Sequence, residues 1–323
     1  MSKNRFFFFI LVSFCVAVIA WASYAMISGG REEEPYEVSV IVSDSNNDRW
    51  ITLRQGLEQA AKDFHINLNY VSTGKLISAE EEQALIRREL ENGAEGIIVQ
   101  MISDGKEPPG LEEFSAQAAV VLLESDGGFG DSYAVVGPDN EEIGRAMAEA
   151  VIRDFGGTLS GKKIGILCGG GNGFAMRQRQ QGLAEKLEER DAEIIWDIFH
   201  DGEQPAQEKE EAVQTDMADI MIALDNDGTE RMLDVIQGDE NPDCALYGVG
   251  GSEKAVYYLD KGVIKTLVVP NEFKMGYQSM EAVAKVMQYH TDLKEDYQVD
   301  YLVINQENMY DKKNQKLLFP IVQ

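Results

Sequence analysis

The chain has 323 residues, enough for two domains of ordinary size, and its 44% apolar content is sufficient for buried cores. Its formal net charge is −27. This charge argues against nucleic-acid binding, because a phosphate backbone would be repelled and no basic stripe offsets the acidic residues.

Cysteine and histidine are sparse. Of the three cysteines, Cys15 lies in the apolar N-terminus, while Cys168 and Cys244 lie in or beside strand-like runs and are predicted to be small buried side chains and not a disulfide. The three histidines are scattered, and no group of His, Cys, Asp and Glu has metal-ligand spacing. The sequence therefore predicts no metal site and no cofactor.

The N-terminus predicts export. Lys3 and Arg5 precede an uncharged run, residues 6–27, which would be roughly 30 Å long as a helix, enough to cross a bilayer. Positive residues before the run and acidic residues after it predict that the rest of the chain is extracytoplasmic. Two interpretations remain open: cleavage as a signal peptide after Ala22 or Ala25, or retention as a membrane anchor, which the length favours.

A first set of alternating strands and helices follows. It begins with the apolar run at Val38, which leads through a polar loop to Trp50 and a helix from Ile51. The further elements of this set are strands at 66–71, 96–100, 118–123 and 133–136, and helices at 79–92 and 111–117.

The pattern then restarts with an amphipathic helix at 139–155. Its strands are predicted at 163–168, 192–199, 220–224, 245–249 and 263–269, and its helices at 174–189, 206–215, 229–236 and 253–260. Strand–helix alternation in two consecutive sets predicts two Rossmann-like α/β domains with parallel sheets. Their polar strand-end loops would face a shared cleft, where a small molecule should bind.

Enzyme motifs are incomplete. The segment 156–163 nearly matches a phosphate loop, but Lys163 stands where Ser or Thr should hold the metal, and the segment precedes a strand. The glycine-rich loop 169–173 lacks the third glycine of a dinucleotide site, since Phe174 stands there. No histidine lies near Cys168 in sequence, so a nucleophile is not indicated. The sequence thus predicts a non-enzymatic protein.

The order of the elements, with several motifs, resembles a known family. The motifs are the loop Ser-Asp-Ser-Asn-Asn-Asp-Arg-Trp at 43–50, Arg177 after a glycine-rich loop, Asp225-Asn226 at a strand end, and Phe-Lys-Met-Gly-Tyr at 273–277. From about residue 36 to 305 the chain is similar to type I periplasmic sugar-binding proteins, the ribose- and galactose-binding, LacI-like group of solute receptors.

This resemblance implies two Rossmann-like lobes joined by three hinge strands and closing on a small ligand. The implied organisation is an N-terminal signal or anchor segment with a linker (1–35), a first lobe (36–137 plus 271–298) and a second lobe (138–270 plus 299–323).

The resemblance also implies a set of ligand contacts. Trp50 and Arg49 match paired aromatics that sandwich a sugar ring, and Arg177 matches the arginine of the second domain. The residues carried over as ligand-binding are Ser43, Asn47, Arg49, Trp50, Glu124, Ser125, Arg177, Asp225 and Asn271. An indole can cover the apolar face of a sugar, while arginine and carboxylates bind vicinal hydroxyls in pairs.

Four positions depart from the pattern. Gly250 replaces the usual Asp, Pro270 the usual Gln, Ser125 an Arg, and Arg49 an aromatic residue. With acidic groups in excess of arginines, the site would also suit a polyol, an amino sugar or a small cation.

The expected function is that of an extracytoplasmic solute-binding protein that delivers a carbohydrate-like ligand to an ABC permease. The alternative is a receptor that presents its ligand to a membrane histidine kinase, which an uncleaved anchor would fit. A LacI-like transcription regulator shares the fold, but it needs an N-terminal helix-turn-helix where this chain has an apolar run.

Overall fold

A computed structural model of the chain describes residues 2–28, 34–42, 49–71, 78–102, 110–124, 133–169, 173–199, 218–236, 243–289 and 297–319. The chain divides into two compact units, Met1–Pro35 and Tyr36–Gln323. The first contains one helix, α1 (Ser2–Ser28), whose described apolar side chains, such as Phe7 and Trp21, are exposed. Over the described residues, no helix combines the length and apolar character needed to span a membrane.

The second unit contains two six-stranded sheets. The first sheet has the order β11-β5-β4-β3-β1-β2, and all its pairs are parallel. Its strands are β1 (Tyr36–Ile41), β2 (Ile66–Val71), β3 (Gly96–Val99), β4 (Ala119–Leu123), β5 (Ala134–Pro138) and β11 (Tyr297–Val299). The helices before and between these strands are α2 (Arg49–Asp63), α3 (Ala79–Glu91) and α4 (Leu111–Ser115).

The second sheet has the order β12-β10-β9-β8-β6-β7. Its strands are β6 (Lys163–Cys168), β7 (Glu193–Phe199), β8 (Ile220–Ala223), β9 (Ala245–Val249), β10 (Ile264–Pro270) and β12 (Tyr301–Asn305). The helices of the later part of the chain are α5 (Asn140–Asp154), α6 (Gly173–Glu188), α7 (Asn226–Val235), α8 (Glu253–Asp260), α9 (Glu272–Tyr289) and α10 (Lys312–Leu318).

The chain crosses between the sheets three times. It leaves the first sheet after β5, returns after β10, and leaves again between β11 and β12. Pro138 pairs with Val299 in the first sheet, whereas the expected boundaries assigned both residues to the second lobe. The N–H of Asn271 donates to the carbonyl oxygen of Asp300 at 3.0 Å, so two of the crossings are joined by a backbone hydrogen bond.

These crossings define two lobes. The first lobe is the first sheet with α2, α3, α4 and α9, and the second is the second sheet with α5 to α8 and α10. Helix α9 follows β10 of the second lobe but packs against α2 in the first lobe. Conversely, α5 follows β5 of the first lobe but packs against α6 in the second lobe.

Each sheet is buried on both faces, as parallel sheets require. In the first lobe, one core lies between the sheet and α2 with α9, and a second lies on the face that carries α3 and α4. The second lobe likewise has a core on each face. This explains why β3, β4 and β8 are continuous apolar runs and do not alternate.

The predicted fold class, two Rossmann-like α/β domains joined by three crossings, is confirmed, with two differences in detail. Strand β12 runs antiparallel to β10, with Tyr301 opposite Pro270, because β10 ends at the hinge and β12 starts from it. Helix α7 begins at Asn226, earlier than the predicted 229, because the carboxylate of Asp225 caps it. The helix predicted at 206–215 lies outside the described residues.

Candidate ligand-binding cleft

A cleft lies between the lobes at the carboxyl ends of the strands. Thr52 and Glu272 reach it from the first lobe, at the first turns of α2 and α9. The described residues that line the cleft are Thr52, Arg179, Asp225, Asn226, Val249, Gly250, Gly251, Ser252, Val269, Pro270, Glu272 and Leu317. Polar groups at the strand ends of an α/β sheet are the usual setting for a small-molecule site.

Asp225 organises the second-lobe wall of the cleft. Its Oδ1 accepts from the N–H of Gly228 at 2.7 Å and from the N–H of Gly169 at 2.9 Å, and its Oδ2 accepts from the Cys168 thiol at 3.6 Å. Burial raises the pKa of this carboxyl, while the two backbone donors and the nearby charge of Arg179 oppose the rise. Asp225 therefore joins the start of α7 to the loop after β6, besides bordering the cleft.

Gly250 and Asn226 fit together at the next strand end. Gly250 has φ +115°, and a Cβ placed there would lie 2.2 Å from Asn226 Oδ1. A side chain at 250 is thus opposed both by backbone conformation and by space. At this strand end the amide of Asn226 therefore lies against the backbone of Gly250.

The two lobes are joined at the inner end of the cleft by a buried ion pair. Arg179 Nη2 of α6 donates to Glu124 Oε1, just past β4, at 2.9 Å. The two side chains are 3% and 0% exposed. Because removing one partner of a buried pair leaves an uncompensated charge, such a loss typically costs about 3–5 kcal/mol.

The backbone at Glu124 is strained. Glu124 has φ +52°, a left-handed conformation that costs a non-glycine residue on the order of 1–3 kcal/mol and that concentrates at functional sites. Gly137 of β5 makes it possible, because a Cβ at 137 would lie 3.0 Å from Glu124 Cα.

The residues predicted to contact the ligand lie in different parts of the structure. Asp225 borders the cleft. Asn271, next to cleft residue Glu272, caps α9, its Oδ1 accepting from the N–H of Lys274 at 3.1 Å. Arg177 is exposed on α6. Ser43, Asn47 and Ser125, and the side chain of Arg49, lie outside the described residues.

Trp50 is 5% exposed and belongs to the first-lobe core with Leu53 and Leu57. The described cleft lining includes Thr52, two residues further along α2, but not Trp50. Contact between the indole and a ligand remains a prediction.

Arg179 is the arginine that the sequence reasoning missed, and a signal for it existed. In α6 the buried positions include Met176, Arg179 and Leu183, spaced three and four residues apart as on one face of a helix. Arg177 falls off this apolar stripe. Asn226 and Ser252, as helix-start residues after strand ends, could have been selected by the rule that chose Asp225.

In the part of the chain that the structure describes, no group of three or more His, Cys, Asp and Glu side chains could hold a metal ion. The charged groups at the centre of the site instead bind each other or backbone donors. This arrangement suits reversible binding of a small polar molecule in a hinged cleft.

Two α/β lobes, three crossings and an interlobe cleft define the two-domain fold of periplasmic binding proteins. The family model described as "Periplasmic binding protein domain" matches residues 38–291, and the chain belongs to that family. The family consists of non-enzymatic solute-binding proteins and implies an extracytoplasmic location. A search of curated protein sequences found no match.

Solved structures show the same fold at low sequence identity. A carbohydrate transporter solute-binding protein from Agrobacterium radiobacter, in complex with D-arabinose, matches with a TM-score of 0.76 at 16% identity over 89% of this chain and 100% of that chain. GanP, a glucose-galactose binding protein from Geobacillus stearothermophilus, matches with a TM-score of 0.73 at 20% identity over 86% of this chain and 100% of that chain. XylFII in the XylFII-LytSN complex matches with a TM-score of 0.71 at 18% identity over 84% of this chain and 98% of that chain.

Proposed function

We propose that this protein binds a small carbohydrate-like solute in the interlobe cleft and delivers it to an ABC importer. The observation that carries the proposal is the cleft itself, where Thr52 and Glu272 of the first lobe face Asp225, Asn226 and Ser252 of the second. Hydroxyl, amide and carboxylate groups on opposing walls can donate to and accept from the hydroxyls of one ligand.

The ligands named for proteins of the same fold support a sugar. D-Arabinose is bound in one of them, and another is named for glucose and galactose binding. The family resemblance implies an aspartate where this chain has Gly250, and the amide of Asn226 lies beside Gly250 at the cleft wall. We therefore propose a sugar or polyol whose hydroxyls pair with an amide at this wall.

The test is a thermal-unfolding screen of residues 36–323 with aldopentoses, aldohexoses, ketohexoses, polyols and amino sugars. A ligand that binds only the folded state stabilises it by about 2.7 kcal/mol at a concentration of 100 Kd, so the melting temperature should rise with the logarithm of ligand concentration. If no compound of these classes shifts the melting temperature at millimolar concentration, the carbohydrate proposal is wrong.

Two matched variants localise the site. Asn226→Leu should abolish the ligand-induced shift, because the amide on the cleft wall is lost. Asn67→Leu makes the same change on the exposed edge strand β2, where the side chain binds Glu37, and should leave the shift unchanged. Equal shifts in both variants would place the ligand elsewhere.

We further propose that the N-terminal segment directs export, with or without later removal. The sequence carries a positively charged start and an uncharged run, and α1 exposes its described apolar side chains. Mass measurement of the mature protein in the membrane fraction and in the soluble extracytoplasmic fraction decides between an intact anchor and cleavage after Ala22 or Ala25.

A sensing role is the second candidate, because one protein of the same fold was solved in complex with another protein, LytSN. Here the ligand-bound protein would engage a membrane histidine kinase. Deletion of the gene separates the two roles: loss of solute uptake supports the importer, whereas intact uptake with loss of solute-induced transcription supports the sensor.

A further inference from the structure

We propose that part of the second-lobe wall of the cleft is a subsite for a methyl group, and that the solute is a 6-deoxyhexose. Four apolar residues form this part, which we call the apolar wall: Val249 at the end of β9, Val269 and Pro270 at the end of β10, and Leu317 of α10. The inference rests on the proposed function and deepens it, since it names the class of sugar that the same cleft takes.

The apolar wall is held in place by the cores of the second lobe. Val249 is 1% exposed and belongs to one of these cores, and Val269 is 4% exposed and belongs to the other. Leu317 is half-buried and packs against the same core as Val269, because the next residue of α10, Leu318, is buried in that core. The wall is therefore formed before a solute arrives, and Leu317 is its most accessible side chain.

The backbone of this wall has its hydrogen-bonding groups engaged within the protein. The N–H of Gly250 donates to the carbonyl oxygen of Val268 at 3.0 Å. The carbonyl oxygen of Val249 accepts from Thr229 Oγ1 at 2.9 Å, and Pro270 has no N–H to donate. A solute hydroxyl placed against this wall would lose its water without gaining a protein partner, which is unfavourable, whereas a methyl group gains from the same burial.

The polar groups of the cleft lie beside the apolar wall and opposite it. Asp225, Asn226 and Ser252 lie on the second lobe, and Thr52 and Glu272 face them from the first. The cleft thus combines a polar part, which suits ring hydroxyls, with an apolar part. A 6-deoxyhexose carries the same combination, since its ring bears hydroxyls and its C6 is a methyl group. The parent hexose would bring the hydroxyl on C6 to the apolar wall.

The test compares sugars that differ only in the hydroxyl on C6. Residues 36–323 form a compact unit that contains both sheets and all four cores, and this part is titrated by calorimetry. The pairs are L-rhamnose with L-mannose, L-fucose with L-galactose, and 6-deoxy-D-glucose with D-glucose. In the pair that binds most tightly, we expect the Kd of the deoxysugar to be about 10–100-fold lower than that of its parent.

The informative variant is Leu317→Asn, which keeps nearly the same volume but presents an amide to the cleft. The ratio of the two Kd values should fall by about tenfold, because the hydroxyl on C6 gains a partner and the methyl group loses an apolar contact. Leu317→Met keeps an apolar side chain and should retain the preference. The ratio compares two sugars on one variant, so a general loss of stability does not change it.

Leu302→Asn is the matched control. Leu302 is also half-buried and packs against the same core, but it is absent from the described cleft lining. This variant should keep the wild-type ratio of Kd values even where it lowers stability.

Three outcomes would overturn the methyl subsite. Equal binding of both sugars in every pair, or tighter binding of the parent hexose, would overturn it while leaving the carbohydrate proposal intact. A preference that survives Leu317→Asn unchanged would place the methyl group away from the apolar wall. If neither member of any pair binds, the proposed carbohydrate function is contradicted as well, so the two failures are distinct.

Discussion

Single residues decide the chemistry of the cleft in this protein, and Gly250 is the clearest case. Its φ of +115° and the close approach of Asn226 Oδ1 leave no room for a side chain. We expect Gly250→Ala to destabilise the fold by on the order of 1–3 kcal/mol and to weaken sugar binding, since Asn226 must move.

The neighbouring Gly251→Ala is the matched control. Among the described residues, a Cβ at 251 meets only the two methyl groups of Val269, at 3.0 and 3.9 Å, and no positive φ opposes it. Urea unfolding of both variants checks the predicted loss of stability. Because Gly251 also lines the cleft, ligand titration is interpreted only for Gly250→Ala; equal losses of stability at 250 and 251 would contradict the role of Asn226.

Glu82 is a second residue of interest, because its buried carboxyl makes the stability of the protein depend on pH. It lies in the first turn of α3 and accepts from the N–H of Ile102 with both oxygens, at 3.0 and 3.2 Å. Burial raises its pKa from 4.5 to about 8. Between these two values the folded state keeps a proton that the unfolded state has released, so the free energy of unfolding falls as pH rises, by up to about 1.4 kcal/mol per pH unit.

Glu82→Gln keeps an acceptor oxygen for Ile102 but cannot ionise. Its stability relative to the wild type should therefore increase as pH rises from 4.5 to about 8, and urea unfolding at several pH values measures the difference. Glu81→Gln makes the same change at an exposed position one residue away and should show no such trend. If the free energies of unfolding of the wild type and of Glu82→Gln differ by the same amount at every pH in this range, the pKa of Glu82 is not raised.

At the scale of elements, both lobes use the same helix contact. In the first lobe, a Cβ on Gly56 of α2 would lie 2.0 Å from the carbonyl oxygen of Phe273 in α9. In the second lobe, a Cβ on Gly182 of α6 would lie 2.0 Å from the carbonyl oxygen of Glu141 in α5. Each pair consists of a helix that has crossed the hinge and the helix that follows the first strand of the receiving lobe.

This close approach makes the glycines intolerant of substitution. We expect Gly56→Ala to separate α2 from α9 and to destabilise the protein by about 1–3 kcal/mol. Gln59→Ala, on the exposed face of the same helix, should change stability little. Chemical denaturation measures the free energy of unfolding of both variants. If Gly56→Ala leaves this free energy unchanged, α2 and α9 can separate without loss of stability and the prediction is wrong.

At the scale of the whole molecule, ligand binding, stability and hinge motion are coupled. A solute that contacts both lobes stabilises the folded state by mass action and favours the arrangement of the lobes in which both sets of contacts form. The thermal-unfolding screen therefore reports on ligand binding and on stability at the same time.

The sequence by itself determined the two-lobed α/β architecture and the family, because apolar strands alternating with amphipathic helices leave few other folds and each strand end carries its own polar loop. Asp225 was carried over from the family resemblance, and its position at a strand end agrees with the same pattern. The spacing of apolar residues in α6 also indicated that Arg179 faces the protein interior, because it lies on the same helix face as Met176 and Leu183.

Only the tertiary structure decided which charges meet. Glu124 and Arg179 are 55 residues apart and lie in different lobes, so no local period relates them, and their pairing depends on how the three crossings bring the lobes together. The same holds for Asn226 beside Gly250, where the available space is set by two neighbouring strands. Long-range packing controls which side chains are buried together, and so decides which charged groups lie within hydrogen-bond distance of each other.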